Sequence, residues 1–203
     1  MTQTPLQKKA ATCYMDPFTN KKTVKILPGE YFVCTPAEDV IVTTLGSCIS
    51  ACIWDKALGL GGMNHFMLAQ SELGAWGAQS VASTRFGNFA MEYLINEILK
   101  QGGQRDRLRA KIFGGASMNT GGDKVGQANI QFAQIYLKTE KIPVTADDTG
   151  GKLARKVYFE PKTGGVRVKK LTDLKNDTIS QRENSYGQNL EKQNTTQDDV
   201  LLF

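Results

Sequence analysis

In residues 43–52, TTLGSCISAC, a cysteine follows a Gly-Ser pair, and the single histidine of the chain stands at position 65 in GGMNHF. A thiol within reach of an imidazole is a nucleophile, because the imidazolium stabilises the thiolate and can later protonate a leaving group. Gly46 and Ser47 put little bulk ahead of Cys48, so a substrate carbonyl can approach the sulfur and backbone N–H groups stay free to bind an oxyanion. Thr43 and Thr44 each carry a hydroxyl that could orient the ring of His65 as a third member. The competing reading is packing, the commoner role of a lone buried cysteine beside small residues and of a lone histidine.

Whether the pair meets depends on the elements that carry it. Apolar alternating runs on both sides of DKALG predict a β-hairpin. If it folds between Lys56 and Ala57, Cys48 lies directly opposite His65, with Cβ atoms about 5 Å apart on one face. A bulge at Gly61-Gly62 could shift that register. β-Branched content and alternation predict strands over 39–44 and 49–54, and again in RKVYFEP and GGVRVKKL around a turn at 162–165. One helix is clear in TRFGNFAMEYLINEILKQGG: Phe86, Phe89, Ala90, Tyr93, Leu94 and Ile98 recur at helical spacing, Thr84 can cap the start, and Gly102-Gly103 can stop it. That stripe reads as core. A second helix is expected over 129–139. With no internal repeat and no regular βαβ alternation, the class is α+β with a largely antiparallel sheet system.

The chain has 203 residues, 40% hydrophobic and 22% charged, which suits a single domain with a substantial core. No apolar run approaches the roughly 18 residues of a membrane span, and nothing near the first residues reads as a secretory signal, so the expected location is cytoplasmic. Residues 1–26 read as a partly flexible extension, 27–172 as the folded domain, and 173–203 as a disordered polar tail. The tail ends in the apolar VLLF after two aspartates, a pattern of short docking motifs and equally of a frayed terminus. Cys13, Cys34, Cys48 and Cys52 are expected to be thiols, and Cys52 a structural one. One close cysteine pair and one histidine are too few ligands to expect a metal. FGGASMNTGGDK and DDTGGKLARK do not match a phosphate loop, so no cofactor is expected; these glycines suit tight turns or backbone lining a cleft near Cys48. The net charge of +5 is scattered, without the dense basic stripe of a nucleic-acid binder.

TTLGSCISACIWD, GGMNHFML, KIFGGASM and DTGGKLARKVYF, in this order and with LPGEYFV upstream, closely resemble the chemoreceptor glutamine deamidase family, CheD, over roughly residues 26–171. The resemblance implies a sandwich of antiparallel sheets with helices packed outside. It also implies a cytoplasmic bacterial enzyme that converts receptor glutamines to glutamates through a thiol nucleophile. The family's cysteine matches Cys48, its histidine matches His65, and its threonine matches Thr43, with Thr44 as the alternative. Methyl-accepting chemotaxis receptors are the implied substrate, and a CheC-type phosphatase is a candidate partner. The pattern departs at Ala128, where an arginine-like residue is expected, and at Ala154, where glycine is, which bears on substrate and partner contacts. Two other readings remain open: a non-catalytic module that binds receptors or the phosphatase, and a glutamate methylesterase using the same pair.

Overall fold

The computed structural model describes residues 12–17, 19–34, 40–68, 85–117, 123–172 and 177–197. Among these residues ten strands form two five-stranded sheets. The outer sheet has the order β1 (Thr12–Met15), β2 (Lys22–Lys25), β4 (Val40–Leu45), β9 (Arg155–Glu160), β10 (Gly165–Lys170). The inner sheet has the order β3 (Glu30–Cys34), β6 (Leu60–His65), β5 (Ile49–Asp55), β7 (Leu108–Gly114), β8 (Val144–Thr149). Neighbouring strands are antiparallel except β2 with β4 and β7 with β8, so the α+β class with largely antiparallel sheets holds. The parallel pair β7 and β8 is joined through a helix, one βαβ step that the strand pattern did not suggest.

The centre of the inner sheet is buried on both faces, so β5 and β6 are buried at every position, while the edge strand β8 is largely exposed. On one face Ile49, Ala51, Ile53, Leu60 and Phe66 pack under the helices α1 (Arg85–Lys100) and α2 (Asp123–Thr139). On the other, Cys48, Cys52, Trp54 and Met63 meet Ile41, Leu45, Val157 and Phe159 of the outer sheet. Both late strands lie where expected, and α2 begins earlier than expected, at Asp123. On α1 the buried stripe is Phe86, Ala90, Met91, Leu94, Ile95 and Ile98, while Tyr93 is 37% exposed, so the stripe is rotated slightly from the one expected. Gly87 belongs to it because α2 crosses there: a Cβ would meet the Phe132 ring at 2.6 Å. The Thr84 cap lies outside the described residues. Ala128 packs in the helix-side core and Ala154 is fully buried.

Two expectations are corrected. The hairpin pairs Cys52 with Met63 and Ile49 with Phe66, two residues out of step with the expected register, so Cys48 is diagonal to His65 and not opposite it. A shift of two keeps both side chains on one face, whereas a shift of one would separate them. The second concerns the tail. Residues Asp177–Gln197, expected to be disordered, form helix α3. Its three apolar residues Ile179, Tyr186 and Leu190 fall at helical spacing and turn toward the body, Leu190 and Tyr186 packing with Phe86. The VLLF end lies outside the described residues.

Candidate active site

The turn 46–48 joins β4 to β5. Its three carbonyls are tied back: Gly46 accepts from the Ala116 N–H at 2.7 Å, Cys48 from the Gly115 N–H at 2.7 Å, and Ser47 from Asn129 Nδ2 at 2.8 Å. In a trans peptide the carbonyl and the following N–H point opposite ways, so holding the Gly46 and Ser47 carbonyls turns the N–H groups of Ser47 and Cys48 outward. The holding loop exists because of its glycines. Gly114 has φ +114° and Gly115 φ +67°, and a Cβ on Gly114 would stand 2.2 Å from the Cys48 carbonyl oxygen.

Together with the Gly46 N–H, these groups meet one carboxylate, that of Glu183 on α3. Gly46 N and Ser47 N donate to it at 2.8 Å and Cys48 N at 3.3 Å, and the Ser47 hydroxyl donates at 2.7 Å. Glu183 is only 4% exposed.

His65 closes β6 and is held from two directions. Its carbonyl accepts from Gly29 N at 2.8 Å, and its Nδ1 lies 2.8 Å from the Thr43 hydroxyl across the layer between the sheets. That hydroxyl donates its one proton to the Ile26 carbonyl at 2.9 Å. It therefore accepts from Nδ1–H, which leaves Nε2 as the lone-pair nitrogen. Nε2 is buried with no hydrogen-bond partner among the described residues. Nearby, the β5–β6 ladder opens at one pair: Asn64 takes the Ala51 N–H on its side-chain oxygen at 2.8 Å and gives its amide to the Ala90 carbonyl at 3.0 Å. Asn64 thus anchors the strand end to α1. Thr44 is on the opposite face of β4 from Thr43, paired with Lys156.

A sulfur, a ring nitrogen and a carboxylate oxygen from Cys48, His65 and Glu183 all lie within 4.8 Å of one another. Burial pushes the Cys48 thiol well above its usual range, and the Glu183 charge and hydrogen bond push it further. Burial, with a smaller contribution from Arg182, lowers His65 to about 4 against the opposing pull of Glu183. The pair is thus a neutral thiol beside a neutral imidazole. Thiol, imidazole and carboxylate are ligands zinc accepts. Here, however, both carboxylate oxygens are engaged by four protein donors, and a cation would have to displace them.

Thr43, Cys48 and His65 therefore come together as candidates, and Cys52 is fully buried between the sheets, its thiol pushed up by burial. Sequence reasoning missed Asn129 and Glu183. Asn129 is fully buried; it holds the Ser47 carbonyl and accepts from Leu68 N at 2.9 Å, which ties the cysteine turn to the chain just beyond His65. Nothing local marks either residue; only the glycines of FGGAS hinted at backbone near Cys48.

A family model described as CheD chemotactic sensory transduction matches residues 67–170. A probable chemoreceptor glutamine deamidase CheD of Methylobacillus flagellatus is 46% identical over 202 residues, covering 98% of each chain. Proteins of the same description from Halorhodospira halophila and Hahella chejuensis are 45% and 48% identical, covering 94% and 80% of this chain and 88% and 76% of their own.

Proposed function

The chain belongs to the CheD family, and on that premise we propose that it hydrolyses glutamine side chains of chemoreceptors to glutamate, with Cys48 as nucleophile, His65 as acid and base, and Thr43 orienting the ring. The observation that carries this reading is a His65 ring with its Nε2 unpartnered among the described residues and a ring nitrogen within 4.8 Å of the Cys48 sulfur, next to the N–H groups of residues 46–48.

Nε2 takes the thiol proton, and the thiolate attacks the carboxamide carbon. The carbonyl oxygen becomes an oxyanion held by the N–H groups of Gly46, Ser47 and Cys48; those of Ser47 and Cys48 are fixed in advance because the carbonyls on the same peptides, of Gly46 and Ser47, are tied to Ala116 and Asn129. The imidazolium, kept in orientation by Thr43, protonates the departing nitrogen; ammonia leaves and a thioester remains. His65 then takes a proton from water, which attacks the thioester, and the thiol is released with the glutamate. A neutral amide has become a carboxylate, which alters the electrostatics of the receptor.

No helix among the described residues is long and apolar enough to cross a membrane, and the enzyme meets the cytoplasmic domains of its receptors from solution. Purified protein incubated with receptor cytoplasmic domains should produce amide-to-acid mass shifts at particular glutamines, and the Cys48→Ala protein should produce none. Conversion that survives Cys48→Ala in a folded protein would overturn the mechanism. Ester-to-acid conversion on methylated receptors without any amide conversion would make it a methylesterase.

A further inference from the structure

Glu183 has no place in the reaction just described, yet it holds the centre of the site. Its carboxylate occupies all three N–H donors that an oxyanion needs, and it lies within 4.8 Å of both Cys48 and His65. A negative charge there opposes formation of the thiolate, so Glu183 does not belong to the reactive state. What it resembles is the outcome. A glutamate side chain with its carboxylate in the oxyanion donors, next to the attacking sulfur, is the product of glutamine hydrolysis, and here it is presented by the chain's own helix.

The docking of α3 suits a removable plug. Beyond Glu183 the helix seats on the body through Ile179, Tyr186 and Leu190, the only apolar residues it has, with Gly187 passing close to Met67 and Tyr186 lying over Gly29. Glu183 has no cationic partner among the described residues; its charge is met by the N–H and hydroxyl groups of the site alone.

Resting on the Cys48 and His65 reading, we propose that α3 is a product mimic in cis: Glu183 closes the active site, receptor and α3 compete for it, and a glutamine at position 183 is hydrolysed by the same site. That cis reaction balances as ordinary amide hydrolysis: the carbon–nitrogen bond breaks, ammonia leaves with a proton relayed by His65, and water supplies the oxygen of the new carboxylate.

The test uses the full chain with single substitutions and two independent readouts. In Glu183→Gln, peptide mapping should show conversion of position 183 to the acid, first order and independent of protein concentration. The Cys48→Ala, Glu183→Gln protein should keep the amide. In Glu183→Ala, iodoacetamide should alkylate Cys48 at least about tenfold faster than in the unsubstituted protein, since the thiol gains both access and acidity, and receptor deamidation should speed up. Circular dichroism checks that each variant is folded. An amide that persists at position 183 with Cys48 intact overturns the product-mimic assignment. Unchanged alkylation and unchanged receptor turnover in folded Glu183→Ala overturn the plug while leaving the deamidase reading in place. Faster alkylation without any receptor deamidation by either protein leaves the plug and removes the deamidase reading.

Discussion

Thr43 has one proton and two partners. Because the proton goes to the Ile26 carbonyl, the hydroxyl can only accept from His65, and this sets which ring nitrogen keeps a lone pair for proton transfer. Thr43→Val keeps the shape and removes both bonds. It should leave KM near its original value and lower kcat by roughly 10- to 100-fold, less than the 10²–10⁴ that loss of the base itself removes. The buried Ile26 carbonyl and Nδ1 lose their partner, so the variant should also lose about 1–3 kcal/mol of stability. Steady-state kinetics with a thermal melt separates the two effects, and equal activity in Thr43→Val and Thr44→Val would argue against Thr43 as the orienting residue. The choice between the two threonines was not legible from spacing, because either hydroxyl could reach a histidine whose strand had no fixed partner. Strand alternation decides it once β4 is known to turn Thr43, Ile41 and Leu45 toward the inner sheet. Cys48 and His65 were legible through the small residues before one and the hairpin pattern between them. Their charge state was not: a thiolate stabilised by imidazolium was expected, and burial keeps both neutral, Glu183 adding to its effect on the thiol and only partly offsetting it at the ring.

Among the elements, the loop after β7 is the one on which the turn 46–48 depends. Gly114 and Gly151 both have positive φ, but their surroundings differ: a Cβ on Gly114 runs into the Cys48 carbonyl oxygen at 2.2 Å, and one on Gly151 meets nothing within 4 Å. Gly151→Ala should therefore cost only the left-handed penalty of about 1–2 kcal/mol and keep kcat. Gly114→Ala has to push the cysteine turn away and should lose activity even where it folds. Asn129→Ala is the side-chain counterpart. It leaves the Ser47 carbonyl and the Leu68 N–H without their partner, so kcat should fall while the helical circular dichroism signal persists. Equal kinetics for Gly114→Ala and Gly151→Ala would show that the loop does not govern the turn. The hairpin illustrates how far local pattern reaches. Both strands and their shared face were legible from alternation, whereas the register was not, because DKALG allows the reversal to fall at more than one point.

On the scale of the whole molecule, the least legible feature was α3. A stretch with three apolar residues in twenty-one has too little to bury on its own. It is ordered by what it lands on, a turn whose three N–H groups lie 135 to 137 residues from Glu183 along the chain. Such pairings leave no mark in local sequence. Burying these groups also ties folding to pH. His65 is held at about 4 in the folded chain against an ordinary 6.5, so between these values the unfolded chain binds the extra proton. Stability is thus fully present above pH 6.5 and falls as pH is lowered toward 4, by up to about 3 kcal/mol for this one group. Asp55 adds a second, more acidic loss. Its burial works against ionisation, but the bonds from Arg107, Gln104 N and Ala57 N outweigh that and hold it below the usual carboxylate value. Its contribution is therefore present above that value and disappears as pH falls further. Urea denaturation at pH 7.5 and pH 5 should show a lower midpoint in acid, and His65→Gln should flatten that difference without touching the loss below pH 4. An equal pH slope in both proteins would mean that His65 titrates in the folded chain as it does when unfolded.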